Sequence, residues 1–78
     1  MARITEFERV TKERQRVHDV VACGYSVFVA DDGSRYLQLD TYGRPERKFV
    51  GDASQSLQFD QAAAARLKKL LEESFPGL

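Results

Sequence analysis

The side chains able to do chemistry are few: three tyrosines, scattered cations, one histidine, one cysteine and two pairs of adjacent carboxylates. Catalysis finds little to work with among them. No serine or cysteine stands at a spacing from His18 that argues for a nucleophile and its base. Asp31 and Asp32 fall in a turn, and Glu72 and Glu73 on a helix surface. Neither pair is set to be desolvated, which a raised catalytic pKa requires. One His and one Cys do not make a zinc site, which takes four protein ligands or three and a water. No glycine-rich phosphate loop follows a strand and opens a helix. The sequence therefore reads as a non-enzymatic binding protein with no cofactor and no metal. What remains is a chemistry of contact: tyrosine rings on which bases can stack, and Arg or Lys side chains that can meet phosphates.

The chain is a single domain, residues 1–78, near the size at which one core is barely sufficient. Chains this small often oligomerise, and with one cysteine no internal disulfide can help, so a homodimer is expected. A hydrophobic content of 42% with 31% charged residues suits an ordered globular domain. There is no apolar run long enough to span a membrane and no signal-like start, so the expected setting is cytoplasmic. The net charge is zero, which argues against indiscriminate nucleic-acid binding, but the charges are unevenly placed. Residues 1–16 hold five basic and three acidic side chains, residues 17–43 one and four, and residues 44–50 three and one.

The elements that must position these residues are ordered as follows. Thr5 and Glu8 match a capping box, and Ile4, Phe7 and Val10 recur at helical spacing. Residues 1–16 are thus expected as a short helix or a loose basic arm rather than a strand. Val17–Cys23 reads as a strand with Cys23 buried, and Gly24 as a bulge or bend. Tyr25–Tyr42 is the central hairpin. With Asp32 and Gly33 as a two-residue loop, Val29 falls opposite Tyr36 and Phe28 opposite Leu37. That register puts Phe28, Leu37 and Leu39 on a core face, and Tyr25, Val27, Val29, Tyr36, Gln38, Asp40 and Tyr42 on the other. A turn follows at residues 42–46, then a strand at 47–50 and an alternating strand at 54–59. Asp60 caps a helix over 61–75 whose apolar stripe is Ala64, Leu67, Leu70, Leu71 and Phe75. The expected fold is α+β: a small antiparallel sheet of three to five strands, covered on one face by one C-terminal amphipathic helix. The bare face would carry the tyrosines.

Four stretches, R-Y-L-Q-L-D-T-Y-G, R-K-F-V, S-Q-S-L-Q-F-D and A-A-A-R-L-K-K-L-L, follow one another in this order between residues 35 and 71. The pattern resembles the positive-cofactor-four type of transcriptional coactivator and its small bacterial relatives. The resemblance implies binding of single-stranded DNA across a curved sheet and dimerisation through the helical side. It also implies that Tyr36 and Tyr42 lie on the outer face, with Arg44, Arg47 and Lys48 along the backbone path. Arg14 and Arg16 of the N-terminal segment complete the candidate nucleic-acid-binding set. The chain departs from the family in lacking a basic excess, in having Gln55-Ser56-Leu57 where a Gly-Ile type step is usual, and in carrying Tyr rather than Trp. A protein-interaction or regulatory module using the same face is the alternative reading, and zero net charge suits it.

Overall fold

A computed structural model describes residues 1–43 and 53–78. Its four strands are β1 (Ala2–Ile4), β2 (Cys23–Val29), β3 (Arg35–Thr41) and β4 (Gln55–Phe59), followed by a helix, α1 (Gln61–Ser74). They form one sheet in the order β1-β4-β3-β2. The β2–β3 and β3–β4 pairs are antiparallel, and β1 runs parallel to β4. The fold is the expected small α+β domain of a sheet plus one C-terminal helix, with the sheet mixed rather than wholly antiparallel. No helix among the described residues is long and apolar enough to cross a membrane. The expected strand at 47–50, with Arg44, Arg47 and Lys48, lies outside the described residues.

The helix forms where its sequence demands. Asp60 accepts a hydrogen bond from the backbone N–H of Ala63 at 2.8 Å, a cap worth about 1 kcal/mol. Alternation in β4 is also as expected. Leu57 and Phe59 share one face, and the ladder sets them beside Leu39 and Leu37. Between this face and α1 runs an apolar groove of about 350 Å³, lined by Leu37, Phe59, Ala64, Leu67, Leu71 and Leu78 among others. The core is thin. Among the described residues the only buried apolar side chains are Phe59 and Ala63. Phe7 stacks on Phe59, ring centroids 6.5 Å apart, and anchors the start of the passage that leaves β1.

The hairpin closes differently from expectation. Ala30 donates its N–H to Ser34 O at 2.8 Å and accepts from Gly33 N at 2.9 Å, so the loop is Asp31-Asp32-Gly33. Gly33 sits at φ 88°, in the left-handed region, and Asp32 Oδ1 accepts from Ser34 N at 2.9 Å. This is a three-residue turn ending in a left-handed glycine, and it adds one residue to the loop. The register becomes Val29↔Arg35, Phe28↔Tyr36 and Val27↔Leu37. A one-residue slip turns every side chain of one strand to the opposite face. Phe28 therefore leaves the expected core face, while Tyr25, Val27 and Val29 move to the helix side.

Four further expectations are corrected. Residues 2–4 form a strand, because an extended tripeptide beside β4 gains ladder bonds that a short isolated helix would lack. Residues 5–22 have no regular structure, so the expected strand at 17–23 begins only at Cys23. Val17 and Val20 are exposed, with no neighbouring strand among the described residues to pay for their extension. Cys23 is exposed rather than buried, since β2 is an edge strand among the described residues. Gly24 pairs regularly with Asp40, without a bulge.

Candidate functional site

On the sheet face away from α1 the corrected register assembles a site with two parts. The first is aromatic and cationic. Phe28 and Tyr36 face each other across the β2–β3 ladder and stack, centroids 5.5 Å apart with 23° between planes. Arg3, delivered by β1, lies with its guanidinium carbon 5.9 Å from the centroid of the Tyr36 ring. Its Nη1 donates to the Tyr36 hydroxyl at 2.9 Å. A guanidinium near an aromatic ring and bonded to its phenol is held in one place while keeping other donors for an anion.

The second part is a polar ladder along β3 and β4. Gln58 Nε2 donates to Gln38 Oε1 at 2.8 Å, and Gln38 Nε2 donates to Asp40 Oδ1 at 2.9 Å. The hydroxyl of buried Ser56 donates to the same carboxylate oxygen at 2.5 Å. These bonds, that of Ser56 first and then that of Gln38, hold the Asp40 carboxyl below its ordinary range by favouring the charged form. Next to the ladder, Met1, Ala2, Gln38, Ser56 and Gln58 line a hollow of about 290 Å³. At the hairpin tip Asp32 is likewise lowered, chiefly by the backbone N–H of Ser34 and then by its hydroxyl, with the Arg3 charge adding to the effect.

Of the residues expected to bind, Tyr36 stands at the centre of this face. Tyr42 is half-buried just past the end of β3. Tyr25 is on the opposite face, beside Leu39 on the ladder, and is 77% exposed. Arg14 and Arg16 line a separate basic concavity of about 780 Å³ with Lys12, Gln15 and His18. The alternating cations Lys12, Arg14 and Arg16 thus face one concavity, which the charge count of residues 1–16 left open. Arg44, Arg47 and Lys48 lie outside the described residues. Two members of the aromatic and cationic part were missed. Phe28 follows once the loop is given three residues, and the apolar odd positions Tyr25, Val27 and Val29 were the signal for that. Arg3 had no signal, because nothing in three residues announces a parallel pairing with a distant strand.

The sheet face and its ladder could hold a flat ring and offer amide and carboxylate edges, and the separate basic concavity could attract an anion. Comparison with known protein families, with characterised proteins and with solved structures found no match for the chain.

Proposed function

We propose that the protein is a small non-enzymatic binder of single-stranded nucleic acid, which it takes on the sheet face bearing Phe28, Tyr36 and Arg3. The observation that supports this reading is the stacked Phe28–Tyr36 pair beside the Arg3 guanidinium. It is a platform for a base next to a donor for the adjoining phosphate. Arg14 and Arg16 supply a second anionic contact. Arg44, Arg47 and Lys48 keep their proposed part along the backbone path, and Tyr42 its place at the end of β3. A cytoplasmic, DNA-associated role in transcription is the setting that the resemblance to coactivators suggests. The alternative, a protein-interaction module, draws on the Asp40 carboxylate and zero net charge, which discourage a polyanion at the ladder.

Fluorescence anisotropy with a labelled single-stranded oligonucleotide and its duplex, at low and moderate salt, tests the reading. Preferred, salt-sensitive binding of the single strand is expected. Phe28→Ala and Tyr36→Ala should each weaken it by about 1–3 kcal/mol, the usual worth of a base stacked on an aromatic ring. Arg3→Ala should weaken it and lower the salt dependence. No binding at low salt sinks the proposal.

A further inference from the structure

We propose that β2 is a homodimer interface, pairing antiparallel with β2 of a second copy about a two-fold axis at Ser26, so that two four-stranded sheets become one of eight strands.

Among the described residues nothing protects this edge of the sheet. Cys23–Val29 reads C-G-Y-S-V-F-V, with no charged residue and no proline. Its pairing to β3 runs without a bulge, so nothing twists it away from a newcomer. Natural edges are ordinarily blunted by such devices. The bond from Ala30 N–H to Ser34 O fixes the alternation of the ladder. Gly24, Ser26 and Phe28 aim their backbone groups at β3, while Cys23, Tyr25, Val27 and Val29 aim theirs outward. Tyr25, Val27 and Val29 are also 77%, 55% and 56% exposed, on the face where α1 packs against β3 and β4.

The occupant follows from the strand's own symmetry. Ser26 is the midpoint of β2, and a two-fold there lets the whole strand overlap its copy. Tyr25 then pairs with Val27 of the second copy, and Cys23 with Val29, all of them residues with outward backbone groups. On the other face Phe28 meets Gly24, a ring over a residue with no side chain. Large meets small at both positions, and aromatic with β-branched is a favourable cross-strand pair. Cys23–Val29 carries no charged residue, so no like charges meet within the paired strands. A two-fold axis normal to the sheet keeps both helices on one side. The two Phe28–Tyr36 platforms then share one continuous outer face. An isologous contact of this kind closes on itself and stops at two copies.

The test combines mass and cross-linking on the full chain. Sedimentation equilibrium should give twice the 8.9 kDa of one chain, and Val27→Lys should return it to the single mass with its circular dichroism unchanged. Residues facing each other as a pair without hydrogen bonds lie about 4.5 Å apart at Cα, within disulfide reach. A Cys23→Ser, Ser26→Cys variant should therefore oxidise to a covalent dimer, and a Cys23→Ser, Asp31→Cys variant should not. The cross-link decides the matter even if Val27→Lys fails to fold. A wild-type chain that sediments as a monomer overturns the proposal. So does a dimer in which Ser26→Cys does not cross-link, which would move the contact to the groove beside α1.

Discussion

Asp40 shows how one side chain can tie two strands together. Its carboxylate gathers the Ser56 hydroxyl and the Gln38 amide, and Gln58 reaches it through Gln38. Because those donors favour the ionised form, Asp40 in the folded chain titrates below its ordinary 3.8, and Asp32 does the same. A lowered carboxyl stabilises the fold in full above its unfolded pKa and loses that contribution as pH falls through its folded value. Stability should thus be level near neutrality and decline below about pH 4. Thermal melts from pH 7 to pH 2 would show it, and Asp40→Asn should flatten the acid slope at the cost of lower stability at pH 7. The inward Leu37 and Leu39 and the outward Gln38 and Asp40 were legible from alternation alone. Their partners Ser56 and Gln58 were assigned a common face but not a bond to β3, since that depends on register.

Among the elements, the bounds of α1 and β4 were read closely because a cap marks one and strict alternation the other. The expected stripe of α1 is corrected: Ala63 is its buried residue, while Leu71 and Phe75 are exposed. The hairpin was read to within one residue, and that residue mattered. Asp-Asp-Gly satisfies both a two-residue loop with Gly second and a three-residue loop with Gly last, and the two differ only in register. Gly33→Ala should destabilise the domain by about 1–2 kcal/mol, the cost of placing a side chain in left-handed backbone. Space around it is open, so conformation alone sets the penalty. Gly33→Asn should recover part of the loss. Urea unfolding of the three proteins would measure both. β1 was invisible in the sequence because its stability comes from β4, not from its own three residues.

At the scale of the whole molecule, residues 5–22 carry the chain from one edge of the sheet to the other. Most of them are exposed, and Arg9, Lys12, Arg14 and Arg16 offer tryptic sites there. Brief digestion should cut after these residues before it cuts after Arg66, Lys68 or Lys69 in α1, as mass spectrometry of the fragments would show. The fragment from Val17 onward contains β2, β3, β4 and α1 and should keep its helical circular dichroism.

That layout also sets an order of assembly. The contacts of β2 with β3 are close in sequence and cost little chain entropy to close, whereas Ala2 must find Leu57 from nearly the far end of the chain. The Phe28–Tyr36 pair is made with the hairpin, early. Arg3 arrives with β1, late, so the ring pair exists before its guanidinium partner, and destabilising β1 would speed unfolding more than it slowed folding.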